Sequence, residues 1–462
     1  MDFITNFTNT LLEVGSKGTP YALWFIFKSG GWIFVAWAIF IGLKDVWLDW
    51  RQALWIAKQK FVFLAVDVPK DNEQSFKAVE QIFNQVWGSL GGANLVEKWW
   101  QGRHQMSFSF ELVSKEGYIQ YIIRTPKIFR DLVEASIFAQ YPEADITEIE
   151  DYTAEFTPES FKDKGYELFG AQFEMINKEF YPIRTYPMFE HSIAQKVIDP
   201  LSAMLEMMAK MGKGEQLWYQ IIIKPVADDS WKDKAEELVK DLIGVKQKKK
   251  KNKFDVFLDK VFETLNFMFP SYKPEKQEEQ DYPSNVLYMS KGELETVHAI
   301  EIKASKTAFK TKMRMIYLAR KDIFSKPKGV SPFVGALKQY AMVNSNGFKP
   351  AKKTVTKVDY VRVEQRTFKR QRKILNAFKN RSLYAGVNPD GYLLNVEELA
   401  SLYHFPSIEV GTASVKTAVS KKAPPPINVP EEDLEEIVEE ENKLTETKVT
   451  STRVAPPTNL PV

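Results

Sequence analysis

Residues 22–43 read ALWFIFKSGGWIFVAWAIFIGL, a run in which Lys28 is the only charge. So much contiguous apolar surface must leave water, either into lipid or into the interior of a folded domain. As one helix the run just spans a hydrocarbon core of about 30 Å. It therefore predicts a transmembrane helix, with a hairpin buried in a soluble domain as the alternative. Lys28 would snorkel to the interface. Trp24, Trp32, Phe34, Trp37, Phe40, Trp47 and Trp50 would be the anchoring aromatic residues. Residues 1–21 carry Asp2, Glu13 and Lys17 in place of a basic leader, and no small-residue cleavage site follows Leu43, so the segment is expected to be retained. Lys44, Arg51, Lys58 and Lys60 against Asp45 and Asp49 favour a single-pass orientation with the N-terminus outside and the bulk of the chain cytoplasmic. Residues 44–60 predict an amphipathic juxtamembrane helix.

Beyond residue 60 the pattern changes period. FVFLAVDV at 61–68 reads as a buried strand closed by Pro69. Phe76, Val79, Ile82, Phe83 and Val86 then recur at helical spacing. Strands at 107–113 and 118–124 flank a Lys115-Glu116-Gly117 turn, a helix follows Pro126, and residues 144–150 supply a last strand. The order β-α-β-β-α-β predicts a ferredoxin-like (split βαβ) domain over 61–155. A second α+β domain is expected over 170–410, with strands at 173–183, 216–224 and 313–319, helices at 200–211, 231–243, 293–304 and 332–340, and an insertion at about 244–290. The fold class expected is thus α+β, behind an N-terminal transmembrane helix. Residues 411–462 are rich in Pro, Glu, Lys and Thr, a composition that cannot bury enough apolar surface to fold alone, and they predict a disordered tail. Two proline pieces in it, around Pro425-Pro426 and Pro456-Pro457, are candidate docking peptides.

The chemistry in the sequence is sparse. There is no cysteine, which excludes disulfide scaffolds, thiol catalysis and Cys-based metal sites. The phosphate-cradling G-x-x-x-x-G-K-[ST] loop is missing, as are H-E-x-x-H, G-x-S-x-G and G-x-G-x-x-G. The four histidines are scattered, and Glu143, Asp145, Glu148, Glu150 and Asp151 read as a solvated strand face. No catalytic residue, metal or cofactor is expected. Charge is the informative feature: 63 Lys and Arg nearly balance 60 Asp and Glu, yet the basic residues cluster. One tract holds Lys248, Lys249, Lys250 and Lys251. A longer one spans 349–381, includes Arg366, Lys369, Arg370, Arg372 and Lys373, and is opposed only by Asp359 and Glu364. Such tracts suit anionic lipid or a DNA backbone.

Residues 108–152 (FSFELVSKEGYIQYIIRTPKIFRDLVEASIFAQYPEADITEIEDY), 181–189 (YPIRTYPMF), 214–225 (GEQLWYQIIIKP) and 394–406 (LNVEELASLYHFP) together resemble the region that precedes the motor in membrane-associated ATPases of conjugation and type IV secretion systems, of the FtsK/HerA kind. In that family a proline-rich connection leads into a P-loop motor. Here the proline pieces are followed by no motor, which implies a non-enzymatic scaffold or adaptor with the ATPase on a separate subunit. Partners implied are membrane lipid, that P-loop ATPase or other secretion-machine subunits, DNA, and further copies of the chain. The alternative function is a membrane-tethered protein that binds DNA or anionic lipid through its basic tracts.

Overall fold

The computed structural model describes residues 18–28, 32–69, 74–189, 199–227, 229–244 and 289–406. The strands are β1 (Phe61–Asp67), β2 (Phe108–Lys115), β3 (Tyr118–Pro126), β4 (Asp145–Ile149), β5 (Tyr166–Met175), β6 (Glu215–Pro225), β7 (Ala308–Arg320), β8 (Phe348–Pro350) and β9 (Tyr392–Asn395). The principal helices are α1 (Thr19–Ile26), α2 (Trp32–Lys58), α3 (Phe76–Trp87), α4 (Arg130–Phe138), α5 (Ser202–Ala209), α6 (Asp229–Leu242), α7 (Lys291–Ser305), α8 (Ser331–Lys338), α9 (Val363–Lys379) and α10 (Val396–Leu402).

All nine strands join one antiparallel sheet in the order β4-β1-β3-β2-β6-β7-β5-β8, with β9 paired to β7. The left half runs β1-α3-β2-β3-α4-β4 and lies as 4-1-3-2, the split βαβ arrangement. The right half repeats it: β5-α5-β6-β7-α8-β8 lies as 8-5-7-6, the same order with the same connections. The two copies meet through equivalent strands, β2 and β6, paired antiparallel from Phe108↔Ile223 to Lys115↔Gln216. An approximate two-fold axis between β2 and β6 therefore relates them. Where the left copy closes β2 to β3 with Glu116 and Gly117, both at positive φ, the right copy inserts α6 and α7 between β6 and β7.

Side-chain alternation gives the sheet two unlike faces. One is apolar throughout: Phe110, Leu112, Tyr121, Ile123, Ile221, Ile223, Met313 and Met315 pack under α3, α4, α5, α8 and α10 in a single core. The other is apolar at its two ends, where Val113, Ile122, Leu168, Trp218 and Ile316 meet Ile374, Leu375 and Phe378 of α9, and where Ala308 and Leu393 meet Trp231 of α6 and Ile300 of α7. Gly170 lets α9 approach β5, because a Cβ there would stand 2.8 Å from Cγ2 of Ile374.

The expected transmembrane helix is not formed. Among the described residues no helix is long and apolar enough to cross a membrane. The apolar run is divided between α1 and α2, and α2 is apolar only as far as Leu43, about 18 Å at 1.5 Å per residue, before Lys44, Asp45, Asp49 and Arg51 follow on the same helix. That length falls well short of about 30 Å. The single-pass localisation, its orientation and the anchor role of the aromatic residues fall with the helix. Trp24, Trp32, Trp37, Phe40, Trp47 and Trp50 are exposed on α1 and α2. The side chain of Phe34 lies outside the described residues. Trp47 is held by protein: its indole N–H donates to the Trp99 carbonyl at 3.0 Å, and its ring meets those of Trp50 at 5.4 Å and Trp100 at 6.0 Å.

Candidate polyanion-binding site

The sequence Lys310-Thr-Lys312-Met-Arg314-Met on β7 alternates charge with apolar bulk. Period two sends Met313 and Met315 into the apolar core and Lys310, Lys312 and Arg314 to the opposite face. Arg314 lies in register with Gln172 of β5 and Gln220 of β6, and Gln220 with Glu111 of β2. These four side chains form a buried polar row across the middle of the sheet, each no more than 1% exposed. Buried polar groups of this kind are stable only when satisfied. Here many of their partners are backbone groups of the last turn of α9 and of the residues that follow it.

Arg314 donates to the carbonyls of Ala377 at 3.3 Å and Ala385 at 2.9 Å, and also to that of Ser382. Gln220 donates to Phe378 O at 3.1 Å, and Gln172 exchanges bonds of 2.7 and 3.3 Å with Val387. Gly386, at φ +97°, presses so closely on this row that a Cβ would stand 2.0 Å from Oε1 of Gln172. Lys312 donates to Ala385 O at 3.2 Å, and burial with Arg314 beside it lowers its pKa to about 7. Glu111 accepts from Ser109 (2.6 Å), Tyr152 (2.7 Å), Gln220 (2.9 Å) and Arg381 (3.1 Å). Burial opposes its ionisation, but Arg381 and the hydroxyl donors together hold its carboxyl below the usual carboxylate range. Arg381 also reaches Asp151 at 2.6 Å. Burial opposes its charge too, yet facing Glu111 keeps it above its ordinary value.

The polar row thus fixes α9 and residues 380–387 in one position. Held there, α9 points Arg366, Lys369 and Lys373 to solvent, one helical face at spacings of three and four. Lys353, Arg370 and Lys373 line a cavity of about 450 Å³ beside the helix, with Asn376 and Asn380. Lys353, Lys369 and Lys373 meet no carboxylate among the described residues. Arg366 donates to Tyr360 O at 2.9 Å while remaining exposed. The other basic residues expected to contact nucleic acid or lipid are engaged by the protein. Arg370 holds the carbonyls of Val355 and Lys357 at 2.9 and 2.7 Å, and Arg372 pairs with Glu159 at 2.7 Å. Lys248, Lys249, Lys250 and Lys251, and Pro425, Pro426, Pro456 and Pro457, lie outside the described residues.

A second cavity, of about 740 Å³, opens on the far side of residues 380–387, against α2. Arg124 of β3 and Lys224 of β6 line it, residues that no basic run marks. The only sequence signal for this basic end of the sheet is the Lys-x-Lys-x-Arg alternation on β7, which shows itself once those residues are read as strand. Among the described residues no group of His, Asp and Glu could hold a metal ion. The arrangement presents cations and hydrogen-bond donors, the chemistry of anion recognition.

No curated protein matches this chain. A family model described as a domain of unknown function, DUF8128, matches residues 64–418, from β1 through α10 and beyond. That match takes in both copies of the split βαβ unit, the polar row and the basic face of α9, and covers well over half of the sequence, so the chain belongs to the DUF8128 family.

Proposed function

We propose that the chain is a non-catalytic adaptor that holds nucleic acid by its phosphate backbone, within a conjugation-like transfer machine whose P-loop motor is a separate subunit. The observation that carries this reading is the solvent-facing row Arg366, Lys369 and Lys373 on α9, a helix that the buried polar row immobilises, with Lys353 of the loop after β8 beside it and none of the four facing a carboxylate among the described residues. Exposed cations at helical spacing on a fixed helix, with no carboxylate against them, can track successive phosphates and release the counterions condensed on them. The resemblance of residues 108–152 and 394–406 to the region ahead of secretion motors supports the same context. No membrane-spanning segment enters this proposal.

Fluorescence anisotropy with a labelled oligonucleotide tests it. With about four phosphate contacts, affinity for duplex DNA should fall on the order of 10²-fold between 50 and 200 mM salt. Anionic phospholipid vesicles in place of DNA separate the lipid reading: retention on vesicles without oligonucleotide binding would transfer the row to a membrane surface. Co-purification of a P-loop ATPase with the tagged chain tests the adaptor half, and recovery of the chain alone would remove it.

A further inference from the structure

The cavity of about 740 Å³ lies within the size range of small-molecule sites, about 300–1,000 Å³. Its walls are the second half of α2 (Asp49, Gln52, Ile56), the ends of β1 and β3, Lys224, and residues 380–390. Two of its cations are orphans. Arg124 stacks over Phe61, with the guanidinium carbon 3.5 Å from the ring centroid, and finds no acceptor for its N–H groups among the described residues. Lys224 lies 5.6 Å from the Tyr384 ring centroid and likewise has no hydrogen-bond or ion-pair partner among them. Arg381, the third cation in the wall, is already matched by Glu111 and Asp151. Both orphans are substantially desolvated, which lowers Arg124 to about 10 and moves Lys224 below its ordinary value.

The sheet sets their separation. Arg124 pairs with Ser109, Ser109 pairs with Ile222, and Lys224 stands two residues further along the same face. Strand spacing and rise then put the two Cα atoms about 12 Å apart, on one face of the sheet and along one wall of the cavity. Ser107 and Gln52 line the same space. Asp49 and Asp390 line it as well. Their carboxylates repel a phosphate-rich polymer but accept hydrogen bonds from hydroxyl or amino groups.

We propose that this cavity binds a small phosphate monoester bearing hydroxyl or amino donors, of the nucleoside monophosphate class, with its phosphate between Arg124 and Lys224. A dianionic phosphate satisfies the Arg fork and the Lys point charge together. The site is separate from the exposed row of α9 and does not depend on it.

Isothermal titration of the full chain with AMP, with inorganic phosphate and with adenosine tests the assignment. The expected result is one site per chain for AMP, weaker binding of phosphate and none of adenosine. Arg124→Gln and Lys224→Met should each weaken AMP at least tenfold, while Lys369→Ala with Lys373→Ala leaves it unchanged. Urea midpoints identify any variant that fails to fold, and Lys224→Met, at the cavity wall, serves if Arg124→Gln does. Absence of AMP binding overturns the proposal, as does binding that both cavity substitutions leave intact. Displacement of AMP by an oligonucleotide that loses this ability in the Lys369→Ala, Lys373→Ala variant would reassign the cavity to the polyanion surface.

Discussion

The two faces of the sheet solve burial in opposite ways. On the first, Phe110, Leu112, Ile221, Met313 and Met315 exchange water for hydrocarbon beneath five helices, and close packing alone is enough. On the second, Glu111, Gln220, Arg314 and Gln172 are equally buried yet carry charge or amide groups. There the buried donors and acceptors need partners, and residues 377–387 supply many of them, with Ser109 and Tyr152 serving Glu111 and Nε of Arg314 left without one among the described residues. A packed apolar face tolerates many arrangements of its cover, whereas a hydrogen-bonded row admits one. The apolar face thus makes the domain stable, and the polar face makes α9 point in a single direction.

The largest effect should come from unpairing the polar face. Arg381→Met leaves Glu111 as an uncompensated buried carboxylate and should cost about 3–5 kcal/mol of stability, measured by urea denaturation. Adding Glu111→Leu should restore much of that loss, since replacing both members of a buried pair by apolar groups is far milder than removing one. Phe110→Ala on the apolar face should cost a similar 3–5 kcal/mol, but no second substitution of its neighbours should restore it. Equal behaviour of the two faces would break the comparison.

Gly386→Ala comes next. It demands positive φ from a residue with a Cβ and drives that atom into Gln172, so a loss of about 1–3 kcal/mol is expected. It should also loosen residues 380–387, seen as faster amide exchange there with the apolar core unchanged.

Lys312 sharpens the contrast through pH. Burial first, then Arg314 beside it, lowers its pKa to about 7 from 10.5. Between those values the unfolded chain binds the extra proton, so stability rises as pH goes from 7 towards 10, and the full penalty of the buried charge is present below 7. Lys312→Met should therefore stabilise the protein at pH 6–7, with the gain fading by pH 10. The smallest effect on stability belongs to Lys369→Ala and Lys373→Ala, within about 0.5 kcal/mol because both are exposed and unpaired.

Much of the left half is legible in the sequence because compact apolar runs bounded by Pro69, the Glu116-Gly117 turn and Pro126 mark β1 to β3. The right half was blurred by its own chemistry. Lys310 and Lys312 interrupt the apolar run, so the expected strand began at 313 although β7 starts at Ala308. Strand β5, Tyr166–Met175, was placed several residues late at 173–183, since it is buried on both faces and does not alternate cleanly. The repeat itself rests on strand order, which no local pattern reveals. Hydropathy averaged over residues 22–43 predicts one helix because it passes over Lys28, Gly30 and Gly31, whereas among the described residues the helices are α1 and α2, neither long and apolar enough to cross a membrane. Of the basic tract, Arg366, Lys369 and Lys373 were legible as surface charge. Arg370, Arg372 and Arg381 look the same in sequence, and only packing shows that the protein occupies them. Arg124 and Lys224 become neighbours only through sheet register.

On this reading the face of α9 held out by the polar row binds a phosphate backbone. The most direct measurement is the salt dependence of duplex oligonucleotide affinity for the full chain and for the Arg366→Ala, Lys369→Ala, Lys373→Ala variant. The slope of log affinity against log salt should become shallower by about 2.7, the loss of three phosphate contacts at about 0.9 each, with the urea midpoint of the variant unchanged. An unchanged slope in the folded variant, or no oligonucleotide binding by the parent chain at low salt, would contradict the account.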